Sequence, residues 1–135
     1  MIAYPDFTVS TEKARGVLPE SISYSNVVYN LSRVIHLPNS LANGNLNLLR
    51  EIMDDKLHEP YRLNLIEDAE TIISFAKNEG YAACISGSGS TLLIIGQDYN
   101  LLHEIEKLNL RNEWHLLKCN VNYNKTQILG GNYEK

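Results

Sequence analysis

The sequence Ser-Gly-Ser-Gly-Ser-Thr at residues 86–91 lies between two short apolar runs, at 81–85 and 91–95. Each run is long enough for a β-strand and too short for a typical helix. Gly87 and Gly89 allow positive φ angles and leave room for a close backbone contact. The Lys of a phosphate-binding P-loop is missing, and a strand rather than a helix is expected next. Taken alone, the loop is most simply a flexible hairpin turn.

The composition is that of one globular domain. The chain has 135 residues, of which 44% are hydrophobic and 21% charged, so it can bury a sizeable core. Its net charge of -4 argues against a nucleic-acid partner, which usually needs a basic surface. No apolar stretch reaches the length that spans a membrane. The first residues lack the pattern of a signal peptide, and we expect a cytoplasmic protein.

The two cysteines, Cys84 and Cys119, both lie in apolar runs typical of strands. We therefore expect buried free thiols, which fit a reducing compartment. A disulfide between adjacent strands is the alternative. Neither cysteine has a His or a second Cys at the spacing of a metal site.

The apolar patterns predict a series of strands and helices along the chain. In order they are a strand at 2–9 interrupted at Pro5, a helix at 11–18 capped by Ser10, a helical stretch at 24–43 broken at Pro38, a helix starting at Asn45, a helix at 66–79, strands at 81–85 and 91–95, a helix at 99–109 capped by Asp98, and strands at 114–119 and 127–129. Without the inserted helices at 11–63, this is the split β-α-β order of ferredoxin-like α+β domains. Such domains have an antiparallel sheet with helices on one face.

An arginine in the first predicted helix is a candidate ligand-binding residue. At 100° per residue, Arg15 shares a face with Thr11, Ala14 and Leu18. A guanidinium on an inner face needs an anionic partner, and the Thr11 hydroxyl is one turn away. The two groups can therefore converge on one ligand. The alternative is a surface arginine whose stem extends past Leu18.

The stretch at 54–62 is dense in ionisable groups. It contains four candidate metal ligands, Asp54, Asp55, His58 and Glu59. Their spacing is neither a two-His motif nor an EF-hand, and a solvated helix end is the favoured interpretation of the carboxylates. After Pro60 we expect Tyr61 and Arg62 to lie in extended chain.

Four blocks resemble the C-terminal domain of homoserine kinases, within the GHMP small-molecule kinase superfamily. They are DFTVSTEKARGVLP at 6–19, VYNLSR at 28–33, DKLHEPYR at 55–62 and SGSGST at 86–91. The blocks occur in the family's order and cover essentially the whole chain, 1–135. The Gly/Ser loop marks the superfamily, and the two arginine blocks are similar to homoserine kinases in particular. One departure is Ser90, where the family often has Pro.

The resemblance implies a function in substrate recognition. Homoserine kinases use Mg-ATP to phosphorylate the side-chain hydroxyl of L-homoserine, a step toward threonine. The positions that match the family's substrate contacts are Thr11, Arg15 and Arg62. Guanidinium groups match the planar carboxylate of an amino acid, because each can donate two parallel hydrogen bonds. The loop residues that match the family's support for the nucleotide loop are Gly87, Ser88 and Gly89.

The family's phosphate-binding motif, Pro-x-x-x-Gly-Leu-Gly-Ser-Ser, does not occur in this sequence. In the family it belongs to the N-terminal nucleotide-binding domain, which also carries the Mg-binding carboxylate. The resemblance therefore implies the C-terminal half of a kinase, with L-homoserine and ATP as partners of the full-length enzyme. We expect this chain alone to bind no cofactor and to be inactive, and a homodimer is a further assembly to test.

Two alternatives stay open, and the second of them belongs to a different class of protein. One is another GHMP kinase acting on mevalonate-type, galactose-type or other small alcohols. Arg15 and Arg62 favour homoserine, since a neutral sugar does not need two guanidinium groups. The other is a free-standing ferredoxin-like module that binds an amino acid for regulation. Such a module would not need the inserted helices at 11–63.

Overall fold

The computed structural model describes residues 1–122. In chain order they form β1 (Ile2–Pro5), α1 (Thr11–Gly16), α2 (Tyr24–Val34), α3 (Leu37–Ala42), α4 (Leu46–Ile52), α5 (Glu59–Arg62), a 3-10 turn (Leu63–Leu65), α6 (Ala69–Asn78), β2 (Ala82–Ile85), β3 (Leu92–Ile95), α7 (Asn100–Ile105) and β4 (Trp114–Leu117). The strand expected at 127–129 lies outside the described residues. Among the helices of residues 1–122, none has the length and apolarity that crossing a bilayer requires.

The four strands form one antiparallel sheet in the order β2-β3-β1-β4. β3 lies between β1 and β2, so that Leu92 is paired with both Ala3 and Ile85. β4 pairs with the other side of β1, where Leu116 faces Ala3. Because β3 is inserted between two strands that α6 joins in the sequence, this is the predicted split β-α-β arrangement. The predicted α+β fold class is confirmed.

The core lies between the sheet and the helices α6 and α7. Alternate residues of the strands point into it, as the period of a β-strand requires. Leu92 and Ile94 of β3 are fully buried, whereas the residues that follow each of them are half-buried. The helices supply the opposite side of the core with a row of buried apolar residues, Ala69, Ile72, Ile73, Ala76, Leu101, Leu102 and Ile105. This layer holds the sheet that carries the Gly/Ser loop.

Between β1 and α6, two of the predicted signals for helix ends, Ser10 and Pro38, are confirmed in the structure. Ser10 caps α1 by accepting the Lys13 N–H at 3.1 Å, as expected for an N-cap serine. The stretch at 24–43 is split into α2 and α3, and Pro38 lies in the first turn of α3, where its missing N–H costs no hydrogen bond. The predicted break at this proline is confirmed.

Helix α2 has its polar side toward the domain and much of its apolar side toward solvent. The polar residues Tyr29 and Asn30 donate hydrogen bonds to Asp54 and Asp55. The aliphatic side chains of α2 that are exposed are Val28, Leu31 and Val34, and Ile35, just after the helix, is exposed as well. The longest helical pattern in the sequence therefore does not form the core, because its inner contacts are polar.

Several predicted boundaries differ in the structure, and the largest differences concern β1, α7 and the segment after Pro60. The first strand ends at Pro5 rather than at residue 9, and Pro5 offers no N–H to continue the ladder. Helix α7 covers only Asn100–Ile105, and Asp98 accepts the Asn100 N–H while Tyr99 is the N-cap residue. The prediction of extended chain through Arg62 is wrong, because Glu59–Arg62 forms the helical turn α5. Pro60 lies in its first turn, a position that proline tolerates well.

The turn between β2 and β3 depends on its two glycines. The Ser86 N–H donates to the Thr91 carbonyl at 2.8 Å and the Gly89 N–H to the Ser86 carbonyl at 3.1 Å. Gly87 and Gly89 both have positive φ, at 62° and 86°. A Cβ atom at position 89 would lie 2.5 Å from the Ile66 side chain, whereas one at position 87 would meet nothing within 4 Å. The first glycine thus serves the backbone conformation, and the second also permits close packing.

The thiols differ from the expectation at one position. Cys84 and Cys119 are both free, and Cys84 is half-buried in β2, but Cys119 is exposed. The expectation of a buried thiol at Cys119 is wrong, since this residue lies beyond Leu117, where β4 ends. Burial, with a smaller contribution from the charge of Glu59, raises the pKa of the Cys84 thiol to about 11.

Alanine substitutions at the two loop glycines should separate the two constraints. Gly87→Ala should lower the free energy of unfolding by about 1–2 kcal/mol, the cost of a left-handed conformation for an L-residue. Gly89→Ala should cost about 1–3 kcal/mol more, because it also displaces the buried Ile66 side chain. Urea denaturation of both variants measures this difference, and equal losses would contradict the packing argument.

Thiol labelling at pH 8 should distinguish the two cysteines. With a pKa of about 11, roughly one Cys84 side chain in a thousand is a thiolate at this pH, and its sulfur is partly shielded. Ellman's reagent should therefore release close to one equivalent of product rapidly from the native chain, and the second only in denaturant. Cys119→Ser should abolish the rapid phase. A rapid phase that survives this substitution would show that Cys84 is accessible.

Candidate functional site

The Gly/Ser loop at 86–91 lies beside α1. The Thr11 hydroxyl at the start of this helix is 3.5 Å from the Ser88 hydroxyl. The Ser90 side chain is buried and donates to the Phe7 carbonyl at 2.9 Å. Ser90, the residue that departs from the family pattern, therefore attaches the loop to the segment that precedes α1. Two independent contacts hold the loop and this part of the chain together.

Arg62 joins the loop to α1. Its Nε–H donates to the Ala14 carbonyl at 3.1 Å, and its Nη1 donates to the Gly87 carbonyl at 3.0 Å. A guanidinium has five N–H groups, so three remain after these two bonds. The arginine is half-buried and fixed by two backbone acceptors from separate parts of the chain. It is thus held in place with donors to spare.

Arg15 is adjacent to this junction but is not buried in it. The residue before it, Ala14, is fully buried and provides the carbonyl that accepts from Arg62. The Arg15 side chain itself is exposed, and within residues 1–122 its guanidinium has no hydrogen-bond or ion-pair partner. Its expected place on an inner face of α1 is therefore wrong. The helix buries only Ala14, and the hydrated guanidinium avoids the cost of burial.

The structure brings together most of the residues that the sequence singled out. Thr11 contacts Ser88, and Arg62 contacts Gly87 and the residue that precedes Arg15. These groups lie on open surface. Depressions of about 610 Å³ and 520 Å³ elsewhere on the molecule are lined by other residues.

The turn that carries Arg62 is organised by Asp55. One oxygen of this carboxylate accepts three successive backbone N–H groups, those of Leu57, His58 and Glu59, at 3.0, 2.6 and 2.8 Å. The other oxygen accepts from the Asn30 amide of α2 at 2.6 Å. Burial alone would raise the pKa of Asp55, but these hydrogen bonds outweigh it and hold the pKa below its usual value. Asp55 is therefore an ionised cap for α5.

Glu59 makes the next connection, from α5 to the sheet. Its side chain is only 4% exposed, and Oε1 accepts the Ile85 N–H at 2.6 Å. Burial raises the pKa of this carboxyl, and the hydrogen bond from Ile85 opposes the shift. Sequence reasoning missed this contact, because the two residues are 26 positions apart and no local pattern links them.

The carboxylates at 54–59 do not form the metal cluster that the sequence offered as one possibility. Asp54 accepts from Tyr29 and from Lys77, at 3.2 Å for the lysine. Asp55 and Glu59 bind backbone N–H groups, as described above. Within residues 1–122 no group of three or more His, Cys, Asp or Glu side chains is placed to hold a metal ion. The favoured interpretation, a solvated helix end, is wrong for Asp55 and Glu59, which are largely buried and connect separate elements, whereas the Asp54 side chain is 44% exposed.

Comparisons with known proteins agree with the resemblance. A family model described as "GHMP kinases C terminal" matches residues 39–112, more than half of the chain. A homoserine kinase of Crocosphaera subtropica is 40% identical over 119 residues, covering 87% of this chain and 38% of the relative. A homoserine kinase of Clostridium novyi is 41% identical over 126 residues, covering 88% of this chain and 42% of the relative.

A solved structure supports the fold. The crystal structure of a homoserine kinase from Cytophaga hutchinsonii matches with a TM-score of 0.71 and 24% sequence identity, covering 84% of this chain and 39% of that one. The chain thus spans about two fifths of the length of the proteins it matches. On the evidence of the family model and the sequence relatives, the chain belongs to the GHMP kinase family, carries its C-terminal domain, and has homoserine kinases among its relatives.

Proposed function

We propose that this chain is the substrate-binding part of a homoserine kinase, in which the γ-phosphate of ATP is transferred to the hydroxyl of L-homoserine. The observation that supports this most strongly is the pair of bonds by which Arg62 connects α1, the helix that also carries Arg15, to the Gly/Ser loop. Arg62 thus bonds to the residue next to Arg15, although the two arginines come from distant segments of the chain. Relatives named homoserine kinase give the substrate its identity.

The two arginines are suited to a small amino-acid ligand. A carboxylate accepts two parallel hydrogen bonds from a guanidinium, which fixes its orientation as well as its charge. In this proposal Arg62 presents its remaining N–H groups from a fixed position, and Arg15 closes on the ligand from solvent. The Thr11 hydroxyl supplies a further polar contact. Orienting the substrate hydroxyl toward the phosphate is the main task of a protein in phosphoryl transfer.

The nucleotide and its Mg²⁺ are assigned to another part of the enzyme. The carboxylates Asp54, Asp55 and Glu59 already bind protein donors, so they do not fit a metal site. We infer that an N-terminal nucleotide-binding domain holds Mg-ATP, and that Gly87, Ser88 and Gly89 support its nucleotide loop. We place the enzyme in the cytoplasm and in the synthesis of threonine, with a homodimer as a further assembly to test by sedimentation.

The chain alone should show no homoserine-dependent consumption of ATP. The phosphate-binding motif of the family is missing from its sequence, and positioning of both substrates is required for transfer. A coupled assay for ADP, with and without L-homoserine, measures this directly. Turnover at the rate of a complete homoserine kinase would refute the assignment of the nucleotide to another domain.

Substitution of the two arginines should separate ligand binding from stability. Arg15→Ala should weaken binding of L-homoserine by about 1 kcal/mol, the upper end for a charge pair at an exposed site, without changing the free energy of unfolding. Arg62→Ala should lower both, because it also removes two hydrogen bonds to the backbone. NMR titration measures the affinity, which we expect to be in the millimolar range for part of a site.

A matched control for these variants is Lys13→Ala, which removes an exposed positive charge from the same helix. It should leave the affinity for L-homoserine within about twofold, since a surface charge acts weakly at a distance. L-Threonine serves as the competing ligand. Tighter binding of threonine than of homoserine would favour a regulatory amino-acid-binding module, and an unchanged affinity in Arg15→Ala would remove this arginine from the site.

A further inference from the structure

Glu59 and Arg62 act on the same short segment of chain. They are three residues apart in α5, so their side chains lie on one side of the turn. Glu59 accepts the Ile85 N–H at 2.6 Å, and Arg62 donates to the Gly87 carbonyl at 3.0 Å. The two contacts are therefore made at the residues on either side of Ser86, where β2 ends and the Gly/Ser loop begins. An acceptor and a donor of one helical turn hold this point from the same side.

The burial of Glu59 sets it apart from the other acidic residues of the segment. A carboxyl that is 4% exposed loses its hydration, and this costs free energy unless a donor replaces the water. The Ile85 N–H is that donor. An apolar side chain of similar length would fill the space without this cost, but it would leave the N–H group without an acceptor. The residue at this position therefore serves the hydrogen bond rather than the packing.

Helix α5 needs such a connection because it is only four residues long. A single turn is not stable on its own, since nucleation of a helix is unfavourable. Asp55 holds the start of α5, but these hydrogen bonds do not fix the distance between α5 and the Gly/Ser loop. Without Glu59, Arg62 would be the side chain that connects α5 to the loop, and it would have to do so while binding a ligand.

We propose that Glu59 is a positioning residue, whose hydrogen bond to the Ile85 N–H fixes α5 against the end of β2 and so aims the free N–H groups of Arg62 at the ligand carboxylate. The identity of that ligand, L-homoserine, rests on the function proposed above. The placement of Arg62 does not, because it follows from contacts within the chain. The two claims can therefore be tested separately in one set of variants.

The test uses two substitutions of similar size. Glu59→Gln keeps an oxygen that can accept the Ile85 N–H, whereas Glu59→Met fills the space and removes the acceptor. The readout is the Arg62 Nε–H signal in ¹⁵N NMR spectra, assigned by its loss in Arg62→Lys. This N–H donates to the Ala14 carbonyl, so its hydrogen exchange reports whether the guanidinium stays in place. Ile105→Val, in the buried core of α7, is a control that destabilises the domain away from the site.

Glu59→Met should speed exchange of the Arg62 Nε–H at least tenfold and weaken L-homoserine binding at least fivefold. Glu59→Gln should leave both within twofold, and so should Ile105→Val. Equal effects of Ile105→Val and Glu59→Met would reduce Glu59 to a stabilising residue and overturn the proposal. So would an unchanged Arg62 signal in Glu59→Met, or a loss in Glu59→Gln as large as that in Glu59→Met.

If Glu59→Met does not fold, Glu59→Asp takes its place, because it withdraws the carboxylate by one methylene group and should give the same two effects. An unchanged Arg62 signal in that variant would equally overturn the proposal. If the unsubstituted chain shows no response to L-homoserine while the Arg62 signal still depends on Glu59, the proposed substrate fails and the positioning role stands.

Discussion

The arrangement around Arg62 depends on hydrogen bonds from one guanidinium to two backbone carbonyls that belong to different parts of the chain. Ala14 is 48 residues from Arg62 in sequence, and Gly87 is 25 residues away on the other side. A charged N–H group forms a stronger hydrogen bond to a carbonyl than a neutral one does. The position of the first helix relative to the loop therefore depends on a side chain that belongs to neither. This makes the arginine a structural element as well as a candidate ligand.

The same principle extends to the segment that carries the arginine. Asp55 accepts three backbone N–H groups at the start of α5, and Glu59 accepts a fourth from the end of β2, so two carboxylates hold this short segment in place. Removing either acceptor would strand buried donors, which costs about 1–3 kcal/mol for each group. Burial moves the pKa of Glu59 upward, while the donors around Asp55 move its pKa downward. Neighbouring carboxyls thus have different electrostatic environments within a single turn.

The sequence predicted the parts of this architecture that have local causes. Alternating apolar residues defined β2 and β3, Pro38 divided the long helical pattern, and Ser10 capped α1. The glycine loop and the arginine blocks identified the segments that meet. What the sequence did not predict has distant causes. The helical turn at Arg62 is fixed by Asp55 and by Asn30 of α2, and the burial of Glu59 is fixed by a strand 26 residues later. The exposure of Arg15 followed from the shortness of α1, which buries a single residue.

The different environments of the two arginines have a consequence for recognition. A side chain that is already immobilised loses little rotamer freedom when a ligand binds, whereas a free arginine loses about 2 kcal/mol of it. Arg62 is therefore preorganised by bonds that already exist in the unbound chain, and Arg15 is not. Arg62 would orient the ligand, and Arg15 would neutralise much of its charge. The binding energy of such a site depends on keeping Arg62 fixed. Part of its specificity therefore comes from contacts within the chain that the ligand does not touch.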